Sequence, residues 1–220
     1  MFFNKVHQNQ KRKRLSLNIP TVNQQMRTDK IKILAISGST RKSSSNINLI
    51  KAIALLASES FSISIFEGLT ELPHFNPDLD YGQVTEDENV AAFRKQLRDA
   101  DAVLICTPEY AVGVPGTLKN AIDWTVSTME FSKKPVALIT ASTAGTRAHQ
   151  SLLGTLLIIE SKISSATQLL ISAIQTKLNS DLQITDEETL DKVNQLIRSL
   201  TEIVNGELPE SGLLPAPLLN

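Results

Sequence analysis

Residues that build covalent or metal-bound frameworks are scarce in this chain of 220 residues, which has one Cys and three His. One Cys cannot form an internal disulfide or a zinc cluster, so disulfide-framed proteins are excluded and the cytoplasm fits best. Neither His74 nor His149 has Cys, Asp or Glu residues around it at ligand spacing. We therefore predict no metal site.

Long apolar runs are also absent, since none approaches the roughly 20 residues that a membrane-spanning helix needs. Apolar residues make up 41% of the chain and charged residues 20%, which leaves enough apolar surface for a real core. The length corresponds to one or at most two domains. The composition therefore predicts a soluble globular protein without a membrane segment.

Positive charge is concentrated at the amino terminus. Residues 1–30 hold one acidic residue against seven basic ones: Lys5, Lys11, Arg12, Lys13, Arg14, Arg27 and Lys30. The stretch has no apolar periodicity and lacks the apolar region of a secretory signal, so we predict a flexible basic tail over residues 1–29. The KRKR run is also compatible with a nucleic-acid-binding arm or an organellar presequence, but a short basic run is more often a solvated end. We expect no nucleic-acid partner.

Strand patterns alternate with helix patterns from residue 30 onwards. The predicted strands are Lys30–Ser37, Phe61–Ile65, Ala102–Cys106, Pro135–Ala141 and Gln168–Ile174. The predicted helices are Asn46–Ala57, Glu88–Ala100, Leu118–Thr128, Arg147–Glu160 and a last helix opened by a capping box at Thr185–Glu188. This alternation predicts an α/β fold over residues 30–204, a doubly wound five-stranded parallel sheet with helices on both faces. The Pro-rich residues 205–220 are predicted to form a loose tail.

The loop after the first strand has the composition of a phosphate cradle. Between Ser37 and Asn46 it holds a run of hydroxyl side chains and Arg41, and it leads into a helix start. Backbone N–H groups at a helix start bind anions, and an arginine adds a charge-assisted hydrogen bond. The loop matches neither the Walker A motif nor the dinucleotide fingerprint. The alternative is a Ser-rich turn that only caps the helix.

The loop after the third strand, Thr107–Gly116, contains two prolines and two glycines. Such a loop is stiff, and its backbone can lie against a flat ligand at the carboxyl edge of the sheet. Cys106, at the end of the preceding strand, is predicted to be a small core residue rather than a nucleophile.

Three segments together, ISGSTRKSSSN, TPEYAVGVPGTLKNAIDW and KPVALITAS, resemble the NADPH-dependent FMN reductase family. These flavodoxin-like proteins include bacterial quinone, chromate and azo-dye reductases. The resemblance runs from about Ile31 to Arg198. It implies a flavodoxin-like fold, FMN as the bound cofactor and NADPH or NADH as the electron donor.

The resemblance also implies the cofactor-binding residues. The FMN phosphate ligands would be Ser39, Arg41, Ser44 and Asn46. The isoalloxazine ring and its surroundings would be lined by Pro108, Glu109, Tyr110, Gly116, Ser142 and Gly145. The protein would need no catalytic acid or base of its own, because the flavin carries the chemistry.

The sequence departs from the family at two places beside the expected flavin. Ala111 and Gly113 stand where the family usually has Asn and Ser, and the loop over residues 141–147 is short and has a single glycine. These departures are the evidence for one alternative, a flavin-less binding or regulatory protein on the same fold. A second alternative is a flavodoxin-like FMN electron carrier that turns over NAD(P)H poorly.

The function predicted from the resemblance is an NAD(P)H-dependent FMN oxidoreductase. Hydride would pass from NAD(P)H through FMN to a small-molecule acceptor such as a quinone, azo compound, free flavin or metal oxyanion. The family resemblance implies that the helix over Lys119–Trp124 packs one subunit against another, so we expect a homodimer or homotetramer in the cytoplasm. Intramolecular packing of Ala121, Ile122 and Trp124 is the alternative for this helix.

Overall fold

The computed structural model describes residues 29–80 and 87–217, so the predicted basic tail lies almost wholly outside the described residues. Within that part of the chain, one parallel sheet is formed by β1 (Ile31–Ser37), β2 (Phe61–Phe66), β3 (Ala102–Thr107), β4 (Val136–Ala141) and β5 (Gln168–Ile171). The strand order is β2-β1-β3-β4-β5. This is the flavodoxin-like order, and it confirms the predicted fold class.

Six α-helices connect or follow the strands in the described residues: α1 (Ser45–Leu56), α2 (Pro77–Asp80), α3 (Glu88–Asp99), α4 (Gly116–Asp123), α5 (Thr146–Ile158) and α6 (Glu187–Val204). Short 3₁₀ turns lie at Gly68–Thr70, Ser165–Thr167 and Ile174–Thr176. Every residue of β3 and β4 is buried, because helices cover both faces of the sheet. The edge strand β2 instead alternates between buried and exposed residues.

The core has two apolar layers, one on each face of the sheet. The first layer packs α3, α4 and α5 against β-strand residues such as Leu34, Ile105 and Leu138. The second packs α1 and α6 against the opposite side chains of the same strands, and it contains Cys106 and Ile139. The prediction that Cys106 is a core residue is therefore confirmed.

Most element boundaries differ from the predictions by one or two residues, and three of the differences have a visible local cause. Helix α4 ends at Asp123 rather than Thr128, and the hydroxyl of Thr125 donates to the carbonyl of Ile122 at 2.7 Å, which favours a turn over a further helical turn. Strand β5 ends at Ile171, because Ala173 takes a left-handed conformation with φ of 51°. The cap of α6 is Asp186 and not Thr185, whose N–H still pairs with the carbonyl of Lys177.

Part of the predicted loose C-terminal tail lies against the domain. Leu213 forms a β-bridge with Ser164, and the N–H of Leu214 donates to the carbonyl of Ile163 at 2.7 Å. Leu214 also packs against the first layer of the core. The segment up to residue 217 therefore has one anchored point. Among the described residues, no helix combines the length and the apolar character needed to cross a membrane.

Candidate functional site

Three loops at the carboxyl edge of the sheet form the candidate site: the first loop (Gly38–Ser44) after β1, the second loop (Pro108–Pro115) after β3 and the third loop (Ser142–Gly145) after β4. The winding of the sheet reverses between β1 and β3, which is where ligands bind in folds of this kind. The loops touch each other. The hydroxyl oxygens of Ser39 and Tyr110 are 3.3 Å apart.

The first loop offers several hydrogen-bond donors that the protein itself does not use. Within the part of the chain that the structure describes, the backbone N–H groups of Thr40, Lys42 and Ser43 have no acceptor. Ser44 caps α1 by accepting from the N–H of Asn46 at 3.2 Å, and Arg41 is exposed. Unpaired N–H groups, hydroxyls and a guanidinium before a helix start fit a phosphate group.

Gly38 allows the first loop to begin directly against β3. A Cβ atom at this position would lie 2.2 Å from Oγ1 of Thr107, which no side chain can tolerate. The N–H of Gly38 donates to the carbonyl of Cys106 at 2.9 Å. Only glycine can therefore bring the first loop this close to the second.

Asn46, predicted to be a phosphate ligand, has its side chain turned inward. Its Oδ1 accepts from the thiol of Cys106 at 3.2 Å, and its Nδ2 donates to the carbonyl of Ala141 at 3.4 Å. Both side chains are buried, and burial raises the pKa of the Cys106 thiol far above its usual range. The thiol is therefore a neutral hydrogen-bond donor, and Asn46 lies beneath the first loop.

The second loop contains a tight turn at the place where the sequence departs from the family. Tyr110 and Gly113 exchange two backbone hydrogen bonds of 3.0 Å, and the central residues Ala111 and Val112 have φ of 48° and 62°. Both central residues of a type I′ turn need positive φ, which favours Asn and Gly. Ala and especially the β-branched Val are strained there, and Val112 is 69% exposed.

Glu109 links the second loop to the helix that follows the third loop. Its Oε2 accepts from the N–H of Ala148, in the first turn of α5, at 2.8 Å. A carboxylate at this position satisfies an unpaired N–H and interacts favourably with the helix dipole. The family resemblance implied that Glu109 lines the flavin, and it gave no indication that the side chain caps α5.

Both ends of the short third loop are tightly held. The N–H of Ser142 donates to the carbonyl of Ile171 at 3.1 Å. Gly145 has φ of 75°, and a Cβ there would lie 2.9 Å from Leu170 and 3.1 Å from Thr140. The single glycine of this loop is therefore required where it stands.

A buried histidine that sequence reasoning did not assign to the site supports the third loop from below. Nδ1 of His149 lies 2.9 Å from Oγ1 of Thr140, and Nε2 lies 2.5 Å from Oε1 of Gln168. These contacts join α5 to β4 and β5. The partners lie 9 and 19 residues away in the chain, so no local pattern predicts them.

The structure thus brings together most of the predicted site residues. Ser39, Arg41 and Ser44 belong to the first loop, Pro108 is buried at the start of the second, and Tyr110 reaches back to Ser39. Glu109 ties the second loop to the helix after the third loop, which contains Ser142 and Gly145. Gly116 is exposed at the first position of α4, with no atom within 4 Å of a Cβ built on it.

Helix α4 holds the segment that follows β2. Oδ1 of Asn120 accepts from the N–H of Phe75 at 2.7 Å, while its Nδ2 and the indole N–H of Trp124 both donate to the carbonyl of Pro73. Ala121, Ile122 and Trp124 are all buried within the chain. The intramolecular alternative for these three residues is therefore the correct one.

Comparison with known proteins decides the family. The sequence profile of the NADPH-dependent FMN reductases matches residues 31–176. This chain belongs to that family. Family membership confirms the predicted enzyme, an NAD(P)H-dependent oxidoreductase whose cofactor is FMN. The matched residues include all three loops of the site.

Individual relatives agree with the family. The chain is 34% identical over 181 residues to the NAD(P)H-dependent FMN reductase PA1204 of Pseudomonas aeruginosa, covering 79% of this chain and 95% of that protein. It is 28% identical over 183 residues to a quinone reductase of Escherichia coli, covering 80% and 97%. Among solved structures, the flavoenzyme FerB of Paracoccus denitrificans superimposes with a TM-score of 0.66 at 26% identity, covering 80% of this chain and 98% of that chain.

Proposed function

We propose that this FMN reductase passes electrons from NAD(P)H to a quinone. The observation that carries the proposal is the contact between Ser39 and Tyr110, because it sets a phosphate cradle beside a stiff loop that can line a flat ring. The relatives named as quinone reductases support a quinone as the acceptor. Azo compounds, free flavins and metal oxyanions are the other acceptors to be compared with it.

We assign the cofactor contacts by loop. The hydroxyls of Ser39 and Ser44, the guanidinium of Arg41 and the unpaired N–H groups of the first loop would hold the phosphate. The isoalloxazine ring would be lined by Pro108, Glu109, Tyr110, Gly116, Ser142 and Gly145. Asn46 would support the phosphate site from beneath, since its amide is used inside the protein.

Bound FMN supplies two-electron transfer between a hydride donor and an acceptor. The residues of the chain bind and orient the reactants. The half-exposed ring of Tyr110 lies at the mouth of the site. There it can contact one face of the flavin ring. The other face of the flavin would then stay open to NAD(P)H and the acceptor in turn. The carboxylate of Glu109 and the amide of Asn46 are both engaged inside the protein, so each would hold the loops of the site in place.

Cofactor analysis and anaerobic reduction test the proposal. We expect the purified protein to release FMN and not FAD, to be bleached by NAD(P)H without oxygen, and to regain its colour when a quinone is added. A protein that binds no flavin even with excess FMN would be the flavin-less alternative. A flavoprotein that NAD(P)H fails to bleach would be an electron carrier. If another acceptor reoxidises the protein and quinones do not, that acceptor takes the place of the quinone in the proposal.

The assembly we propose is a homodimer or homotetramer. Two exposed apolar side chains follow α4, Val126 at 49% and Met129 at 60% exposure, and they are available to a second copy of the chain. Burying them against a partner removes apolar surface from water. Sedimentation velocity should show an oligomer that Met129→Glu weakens, and a monomeric wild-type protein would contradict the proposal.

We also propose a cytoplasmic location and a three-part chain. The lone Cys106 is a buried free thiol, as expected in a reducing compartment. The three parts are the basic tail over residues 1–29, the flavin domain over residues 30–204 and the C-terminal tail over residues 205–220. Fractionation of cells that produce the full chain tests the location.

A further inference from the structure

We propose that Cys106 is a positioning residue for the first loop and sets the preference of the protein for FMN over riboflavin. The inference rests on the proposed function, because it concerns the phosphate end of the same cofactor site. Cys106 is fully buried. It acts by holding the loop whose N–H groups face the phosphate.

The start of the first loop is held by the backbone of Cys106. Its carbonyl accepts from the N–H of Gly38 at 2.9 Å, directly after β1 ends at Ser37. Gly38 cannot move toward β3 or gain a side chain, because Thr107 fills that space. This end of the loop is therefore fixed on β3.

The other end of the first loop is held by the side chain of the same residue. The thiol of Cys106 donates to Oδ1 of Asn46, and the amide of Asn46 donates in turn to Ala141 on β4. The N–H of Asn46 donates to the hydroxyl of Ser44, the last residue of the loop. One strand residue thus joins the start of the loop, its end and the neighbouring strand.

Between these two ends the first loop depends on few other internal contacts. In the described part of the chain, the N–H groups of Thr40, Lys42 and Ser43 have no intramolecular acceptor, so their direction follows from where the ends are held. Cys106 is fully buried and Asn46 is 3% exposed, so water cannot replace the thiol as a donor. Without the thiol, Oδ1 of Asn46 is left unsatisfied and the helix start must adjust.

The experiment compares FMN and riboflavin binding to apo-protein by quenching of flavin fluorescence. We expect Cys106→Ala to weaken FMN about 10-fold, the loss for one hydrogen bond at about 1.4 kcal/mol per decade. Riboflavin, which lacks the phosphate, should bind within about 2-fold of wild type. Cys106→Ser keeps a donor and should restore most of the preference, whereas Cys106→Val fills the volume without a donor and should lose it as Cys106→Ala does.

Ile139→Val is the matched control. Ile139 is the register partner of Cys106 on β4 and lies in the same apolar layer, but its hydrocarbon side chain donates no hydrogen bond to Asn46. This variant should lower the melting temperature without changing the ratio of the two affinities. An unchanged ratio in Cys106→Ala and Cys106→Val, or equal weakening of both ligands, would overturn the inference alone. Failure of the wild-type protein to bind FMN would instead overturn the proposed function and the inference with it.

Discussion

Arg41 is one of two charged side chains in the first loop, beside Lys42, and it is exposed. Its guanidinium should give the FMN phosphate a charge-assisted hydrogen bond of about 1.5 to 3 kcal/mol. Arg41→Ala should therefore weaken FMN by roughly 10- to 150-fold and leave riboflavin almost unchanged, as measured by titration of apo-protein. The FMN affinity of Arg41→Lys should fall between those of wild type and Arg41→Ala, because lysine keeps the charge and loses the planar fork of the guanidinium. Equal losses for FMN and riboflavin would show damage to the fold.

Val112 stores strain in the second loop, because a β-branched residue has φ of 62° there. Val112→Gly should relieve about 1 kcal/mol or more and raise the melting temperature of the apo-protein. The control is Ser62→Gly on the exposed side of β2, where glycine should lower the melting temperature by its usual entropic cost. If both variants are destabilised alike, the turn at Val112 is not strained.

Glu109 shows how one residue couples two elements, since its carboxylate caps α5 from the second loop. Glu109→Ala should destabilise the apo-protein by about 1 kcal/mol, the typical value of a helix N-terminal cap. Thermal unfolding measures this loss, and Glu109→Gln should recover part of it because an amide oxygen still accepts. Glu59→Ala, in the exposed turn after α1, serves as the control and should have little effect.

Asp186 makes the start of α6 sensitive to acid. Hydrogen bonds from Thr189 and from Lys177 hold the pKa of its carboxyl at about 2, below its usual 3.8. A lowered folded-state pKa contributes stability that is complete above the unfolded pKa of about 3.9 and is lost as pH falls through the folded value. Asp186→Ala should therefore lower the melting temperature at neutral pH, and the gap to wild type should close between about pH 4 and pH 2. A gap that persists at pH 2 would mean that the charge of Asp186 is not responsible, and Asp181→Ala is the exposed control.

Elements with a strong local pattern were predictable from the sequence, and elements set by distant partners were not. The apolar runs of β1, β3 and β4 predicted the sheet, since strands buried on both faces need continuous apolar sequence. The end of α4 was missed because it depends on the hydroxyl of Thr125, and the cap of α6 shifted by one residue because Thr185 is still paired with Lys177. Such competition between neighbouring hydrogen bonds is not visible in periodicity.

The same distinction applies to the candidate site. A phosphate cradle could be predicted because its candidate donors are consecutive in the chain, from Ser39 to Ser44. The inward amide of Asn46 depends on Ala141, which is 95 residues away, and the cap by Glu109 depends on Ala148, which is 39 residues away. The family resemblance named both residues as cofactor-binding residues. Their side-chain partners follow only from the tertiary structure.

At the scale of the whole molecule, the sheet separates two apolar layers that share no helix among the described residues. Helix α1, which begins at the end of the first loop, packs with α6 on one face. Helices α4 and α5, which follow the second and third loops, pack on the other. A cofactor held by all three loops would therefore contact structure that belongs to both layers.

This arrangement gives the flavin a role in cooperativity of unfolding. The α1–α6 layer and the α3–α5 layer lie on opposite faces of the sheet, so their amide protons can exchange in separate opening events of different free energy. A ligand bound across the sheet edge must leave before either layer opens, and at 100 times its Kd it adds about 2.7 kcal/mol to each such opening. Flavin loading would thus merge two exchange units into one, so protease resistance of both layers would follow the supply of a single vitamin-derived molecule.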